Sequence, residues 1–128
     1  QQYSGNSFVV YNDANTGAYL TYGGTSWSAT SDKRLKENIM DCTYGLDAIV
    51  QMRPVQYNYI GCAQSNIGLI AQDLKNIVPE IVSESWNEKL GDLALGLDYN
   101  GIIPILIKAI QEQNVKILQL QQAFEKLI

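Results

Sequence analysis

The last third of the chain carries apolar residues at alternating spacings of three and four positions, a pattern that a helix brings onto one side. Pro104 falls in the predicted first turn, where proline is tolerated, and Asn100 can serve as the N-cap before it. We therefore predict a helix over residues 101–128. The positions of its stripe are apolar except for Gln113: Ile103, Leu106, Ile110, Gln113, Ile117, Leu120, Phe124 and Leu127.

This stripe is narrow and keeps its spacing over several heptads, as a coiled coil between chains requires. The alternative is a single amphipathic helix that lies on its own domain. Isoleucine at the a positions with leucine at the d positions would by itself favour two parallel strands. Gln113 occupies a d position, and we expect it to fix the register or the number of strands in the coil.

The region before this helix alternates short helical patterns with short strand patterns. One amphipathic run ends just before Pro54, because the residue before a proline disfavours helical geometry. The mixture predicts a small α+β domain. Its predicted helices are 46–52 and 71–77, and its predicted strands are 55–60, 67–70, 80–82 and 95–99.

The first thirty residues differ from the rest, since they contain no lysine, arginine or glutamate. Runs at 8–11 and 18–22 favour strands, a third short strand is expected around Trp27, and clusters of turn residues separate them. So short a segment buries little apolar surface alone, and we expect it to pair with other chains or with a larger β-structure. The composition therefore predicts two parts, 1–30 and 31–128. The chain begins with Gln1, so we expect it to be a piece of a longer polypeptide.

The composition argues against several classes of function. The net charge of −4, with basic residues scattered along the chain, provides no cationic surface for nucleic acid. The absence of histidine excludes Ser-His-Asp and Cys-His catalysis within this chain and the usual zinc ligand sets. Cys42 and Cys62 are expected to be buried free thiols. No apolar run approaches the roughly 20 residues of a membrane span, and no metal, cofactor or membrane partner is predicted.

A densely charged segment, 31–39, follows the uncharged N-terminal part, and within it Ser31 and Lys36 are a candidate catalytic pair. A lysine activates a hydroxyl only when its amine is neutral, which requires desolvation or a nearby cation, and Arg34 is a candidate for that cation. The spacing alone does not bring the pair together, because five residues along a helix turn about 140°. A bend or a neighbouring subunit is therefore required. The simpler interpretation is that Ser31 is a helix N-cap ahead of solvated charges.

The charged segment also resembles a known signature, S-D-x-R-L-K-x-N-I, and further blocks similar to those of the same family follow in order. This family is the peptidase S74 type of intramolecular chaperone, found at the C-termini of phage tail fibres, tailspikes and neck appendages. The blocks are spread along 31–128: Gly45-Leu46-Asp47-Ala48-Ile49, Pro54-Val55-Gln56-Tyr57-Asn58-Tyr59, Ile67-Gly68-Leu69-Ile70-Ala71-Gln72-Asp73 and Tyr99-Asn100-Gly101-Ile102-Ile103-Pro104.

The resemblance implies that the chain cuts itself at the Thr30–Ser31 bond, with Ser31 as nucleophile and Lys36 as general base. Asp32, Arg34 and Asn38 belong to the same signature and are expected to support the site. The family often has a small residue before the serine, so the β-branched Thr30 is expected to slow the attack. No cofactor is implied.

The resemblance further implies a homotrimer, with a small α+β domain, a C-terminal coiled-coil helix and, at 1–30, the last strands of a fibre. The partners would be two further copies and the upstream β-structured fibre domain of the same polypeptide. The protein would be made in the host cytoplasm, with the fibre part in the virion tail or appendage and the chaperone part released. The rival is a trimerisation tip or receptor-binding module that stays attached. A hydrolase of an external substrate is disfavoured, because no histidine or paired carboxylate is available.

Overall fold

The structure, a computed structural model, describes residues 2–3, 7–11 and 17–128. It divides into two units, Gln1–Asp41 and Cys42–Ile128. The charged segment 31–39 lies in the first unit, directly after its last strand.

The first unit contains a four-stranded antiparallel sheet in sequence order. The strands predicted at 8–11, at 18–22 and near Trp27 are present, and the strand near the N-terminus was not predicted. The second of these is shorter than predicted because the chain turns after Leu20, where Gly23 has a φ of 75° and the Gly24 amide donates to the Thr21 carbonyl. The four strands are β1 (Gln2–Tyr3), β2 (Ser7–Tyr11), β3 (Gly17–Leu20) and β4 (Ser28–Ala29).

One face of this sheet carries apolar side chains that its own unit leaves open. Phe8 and Val10 alternate with Val9 along β2 and therefore lie on the same face, and each is 53% exposed. Trp27 contacts Phe8 edge to face, with ring centroids 5.7 Å apart. An apolar sheet face of this kind is a surface for association.

The second unit combines short helices, two hairpins and one long helix. Leu74 and Val78 are fully buried at its centre, where Ala48, Ile81 and Ile105 pack around them. The predicted mixture of small sheets with a long C-terminal helix is therefore confirmed. The elements are α1 (Leu46–Gln51), β5 (Val55–Tyr57), β6 (Asn66–Gly68), α2 (Ala71–Lys75), β7 (Val82–Asn87), β8 (Asp92–Leu97) and α3 (Ile102–Glu125), with β5–β6 and β7–β8 paired antiparallel.

Several predicted strand boundaries were wrong for identifiable local reasons. The strand predicted at 55–60 ends at Tyr57, because the Asn58 side chain folds back to donate to the Cys62 carbonyl at 2.8 Å. The strand predicted at 80–82 begins only at Val82, because Pro79 starts a single 3-10 turn, Pro79–Ile81. The strand predicted at 95–99 is the second half of β8, and the helix predicted at 71–77 ends at Lys75.

The long helix starts differently from the prediction. Asp98, not Asn100, provides the side-chain cap, since its carboxylate accepts from the Asn100 amide at 3.1 Å and closes a 3-10 turn at Tyr99–Gly101. That turn continues directly into α3, whose own N-cap, Gly101, makes no side-chain bond. The predicted N-cap role of Asn100 was wrong because the helix is preceded by a turn with a separate cap.

Only the first half of α3 packs on its own unit. Ile102, Ile105 and Ala109 are buried and face the core, and α1 packs against this part of the helix. Every residue after Glu112 is exposed. The helix has 24 residues, so it is about 36 Å long at 1.5 Å per residue. No helix among the described residues combines the length and hydropathy needed to cross a membrane.

Candidate active site

The site begins with a short 3-10 turn, Lys33–Leu35, in the charged segment of the first unit. The Leu35 amide donates to the Asp32 carbonyl and the Lys36 amide to the Lys33 carbonyl, each at 3.1 Å. Asp32 is the N-cap of this turn. The interpretation of Ser31 as an N-cap was therefore wrong, because Ser31 lies one residue before the cap.

Ser31 and Lys36 meet across this turn. The Nζ atom of Lys36 lies 2.7 Å from the Oγ atom of Ser31, within hydrogen-bond distance. The backbone is extended at Asp32 (ψ 131°) and again at Lys36 (ψ 145°), so the turn between them reverses the chain enough for the two side chains to meet. The bend that the sequence argument required is thus present within one chain.

Asp32 and Arg34 form a two-pronged, solvent-exposed ion pair within the same segment. Arg34 donates from Nε to Oδ1 at 3.0 Å and from a terminal nitrogen to Oδ2 at 2.8 Å. These side-chain bonds, and then the backbone bond from the Arg34 amide, lower the pKa of the Asp32 carboxyl below its usual value. Arg34 therefore is not the isolated cation assumed from the sequence, because Asp32 offsets its charge.

Thr30 and Asn38 lie near the two ends of the segment and have defined backbone geometry. The Thr30 amide donates to the Gly17 carbonyl at 2.9 Å, which ties the residue before the candidate cleavage bond to the start of β3. Asn38 has a φ of 52°, in the left-handed region where asparagine is one of the few tolerated side chains. This backbone requirement explains an asparagine at that place in the signature.

Chemically, the arrangement joins a hydroxyl to an amine and leaves both open to solvent. Ser31 and Lys36 are both exposed, as is the rest of 31–40. When the amine is neutral, it can accept the hydroxyl proton and make Ser31 nucleophilic. The carbonyl group nearest in sequence on the N-terminal side of this nucleophile is that of Thr30, in the Thr30–Ser31 peptide bond.

The family-like blocks of the second unit build structure around Tyr99. The Leu69 amide donates to the Tyr99 hydroxyl at 2.9 Å. Gly68 has no room for a side chain, because a Cβ atom there would lie 2.6 Å from the Tyr99 hydroxyl oxygen. Tyr57 and Tyr59 pack edge to face with centroids 5.4 Å apart, and the neighbouring Tyr59 hydroxyl raises the pKa of Tyr57. These tyrosines line an open cleft of about 360 Å³ with Leu69.

The predicted coiled-coil positions are all exposed in the single chain, with exposed fractions that range from 41% at Leu106 to 85% at Leu127. The alternative of an amphipathic helix lying on its own domain fits the first half of α3, through Ile102, Ile105 and Ala109. It does not fit the second half, which has an apolar stripe and no cover from its own unit.

Some contacts had no signal in the sequence, because they join residues far apart in the chain. Tyr44 donates its hydroxyl proton to Glu80 at 3.0 Å, which raises the pKa of Tyr44, and Lys108 donates to the Cys42 carbonyl. Cys42 and Cys62 are free thiols as expected, but both are exposed, so the prediction that they are buried was wrong. Each lies in a connecting segment rather than in a regular element of the core.

Comparison with known proteins finds sequence similarity to phage tail-fibre proteins and, over part of the chain, to one protein family. Long tail fiber protein Gp37 of Enterobacteria phage K3 is 29% identical over 96 residues, which is 71% of this chain and 8% of the relative. Long tail fiber protein Gp37 of Enterobacteria phage Ox2 is 28% identical over 131 residues, which is 94% of this chain and 51% of the relative. The chain thus spans less than a tenth of one relative and about half of the other. Residues 31–83 match the peptidase S74 family, described as the chaperone of endosialidase. The matched segment starts at Ser31, the first residue of the charged segment.

Proposed function

We propose that this chain is the C-terminal intramolecular chaperone of a phage tail-fibre protein, which brings three copies into register and then cuts itself at Thr30–Ser31. The observation that carries the cleavage is the distance of 2.7 Å between Lys36 Nζ and Ser31 Oγ. The family match begins at Ser31, the residue on the C-terminal side of the proposed cut.

The proposed reaction starts with attack of Ser31 Oγ on the carbonyl carbon of Thr30, while Lys36 Nζ takes the hydroxyl proton. Lys36 then gives that proton to the Ser31 nitrogen as the peptide C–N bond breaks, and the Thr30 carbonyl remains joined to Oγ as an ester. One water hydrolyses the ester. The products are a chain that ends in the Thr30 carboxylate and a chain that begins with the free amino group and hydroxyl of Ser31.

The chaperone role rests on the exposed apolar stripe of α3. Association of this stripe with two further copies would remove apolar surface from water. It would also raise the local concentration of the sheets that the copies carry, since the three chains would be held at one end. Strand pairing between separate chains is slow and prone to aggregation, so a device that aligns the chains first is of direct use to a fibre.

Release of the chaperone after assembly would follow from the position of the cut. The Thr30 amide donates to the Gly17 carbonyl. Cleavage on the carboxyl side of Thr30 therefore leaves the whole sheet on the N-terminal product. The fibre strands would then be interlocked without the element that aligned them. They would remain assembled because their unfolding is slow, which is kinetic stability.

Ser31→Ala tests the nucleophile. We expect this variant to stay at full length after folding, because it has no hydroxyl beside the Thr30 carbonyl. Ser28→Ala, in β4 of the same unit, is the matched control and should be cut like the wild type. Intact-mass measurement of both variants after purification distinguishes one species from two. A Ser31→Ala chain cut at Thr30–Ser31 would refute the proposed nucleophile.

A second candidate function is a trimerisation tip that stays attached to its fibre. The exposure of both Ser31 and Lys36 favours it, because a lysine base usually depends on burial or on an unpaired neighbouring cation. This candidate predicts the same trimer with no cleavage. It is distinguished from the first by the wild-type mass alone.

A further inference from the structure

We propose that Asp32 is a positioning residue for the cleavage, because its carboxylate closes the turn that brings Lys36 to Ser31. This inference rests on the proposed function, since it concerns the geometry of the same hydroxyl and amine. It assigns Asp32 no contact with the reacting atoms.

The bonds of the Asp32 carboxylate hold both the backbone and the side chain of Arg34. Oδ1 accepts from the Arg34 backbone amide at 2.8 Å and from Arg34 Nε at 3.0 Å, and Oδ2 accepts from the Arg34 guanidinium at 2.8 Å. The backbone bond is an N-cap, which satisfies an amide that the turn leaves without a partner. The guanidinium fork restricts the carboxylate to the rotamer in which it caps.

The turn decides whether the side chains of Ser31 and Lys36 can meet. Ser31 precedes the cap and Lys36 follows the last residue of the turn, so the side chains meet only while residues 32–35 keep this conformation. In an extended segment, residues five positions apart lie on opposite faces and far from each other. A single 3-10 turn is marginal without its cap, because it contains few backbone bonds.

The same contacts argue against a direct chemical role for this carboxylate. Among the described residues, its hydrogen bonds all go to Arg34, and none goes to Ser31 or Lys36. Its lowered pKa also keeps it ionised at neutral and alkaline pH. Because the folded pKa lies below the unfolded one, the stabilisation of the turn is complete above the unfolded pKa of aspartate. It is lost only as the pH falls through the lowered value, so it persists at the alkaline pH where a lysine base is neutral.

The test compares the cleavage rates of full-length variants after refolding from denaturant, by intact mass, over a series of pH values. We expect Asp32→Ala to lower the plateau rate at high pH by about five- to thirty-fold, the effect of losing a cap on the population of the turn. The pH at half-maximal rate should be the same for Asp32→Ala and Asp32→Ser, because both remove the same carboxylate charge from beside Arg34. Asp32→Ser should recover most of the rate, since a serine hydroxyl also accepts from the Arg34 amide.

Asp41→Ala is the matched control, because it removes an exposed carboxylate from the same unit outside the turn. It should be cut at the wild-type rate, and every variant should have the wild-type oligomeric state.

A wild-type plateau rate for Asp32→Ala, or a rate for Asp32→Ser as low as that for Asp32→Ala, would overturn the positioning role. So would a shift of the half-maximal pH without a change in plateau. If Asp32→Ala lost its assembly, its role would be general folding and the proposal would fail. If the wild type is not cut, the proposed function itself fails, whatever Asp32 does.

Discussion

We expect Lys36→Arg to stay at full length and Lys33→Arg to be cut at the wild-type rate. Both substitutions keep a positive charge at an exposed position of the same segment. Arginine at position 36 cannot act as the base, because a guanidinium keeps its proton at any usable pH. Lys33 contributes only backbone atoms to the turn, through its carbonyl. The pair of variants therefore separates the loss of a base from the loss of a charge.

The same experiment has a pH dependence with a defined sign. The cleavage rate of the wild type should rise with pH, because only the deprotonated amine accepts the hydroxyl proton. A single-turnover assay after refolding measures this rate directly. If Lys36→Arg is cut as fast as the wild type, no lysine base is involved. The same N-to-O acyl shift, driven by backbone strain at Thr30–Ser31 rather than by a dedicated base, would then be the better account.

The second large effect is on assembly. Ile110→Asp and Ile117→Asp should each convert a trimer into monomers, because each places a carboxylate from every copy around a dry axis. The cost is on the order of several kcal/mol for each substitution. Both residues are exposed in the single chain, Ile110 at 64% and Ile117 at 48%, so their replacement leaves the core around Leu74 untouched.

Val115→Asp is the matched control for the assembly prediction. Val115 is 53% exposed on the same helix, but it lies outside the 3-4 spaced stripe. Light scattering should give a trimer for the wild type and for Val115→Asp, and a monomer for the two stripe variants. A wild-type monomer at micromolar concentration, or an unchanged trimer in Ile117→Asp, would contradict the coiled-coil account.

The sequence was most informative where one pattern repeats over many residues. The long helix was predicted at 101–128 and is observed at Ile102–Glu125, because its 3-4 spacing has no competing interpretation as a strand. The helix at Leu46–Gln51 was found for a similar reason, with Pro54 as an end signal. Short strands were less accurate, because a proline or one asparagine side chain decides where such a strand begins or ends.

The candidate site depends on local bonds that residue types alone do not specify. A separation of five positions gave no reason for Ser31 and Lys36 to meet, and their contact results from a capped 3-10 turn. The sequence suggested Ser31 as the cap, but the cap is Asp32, whose carboxylate is bound by Arg34 two residues later. Contacts such as that of Tyr44 with Glu80 join residues 36 positions apart, so no periodic pattern in the sequence indicates them.

The most direct measurement is the intact mass of the wild-type chain during refolding from denaturant. Because the turn forms only on folding, chain kept in denaturant should show a single full-length mass. After refolding, two masses should appear, which correspond to 1–30 and to 31–128 with a free amino group on Ser31. A refolded chain that keeps its full-length mass at alkaline pH would contradict self-cleavage at Thr30–Ser31.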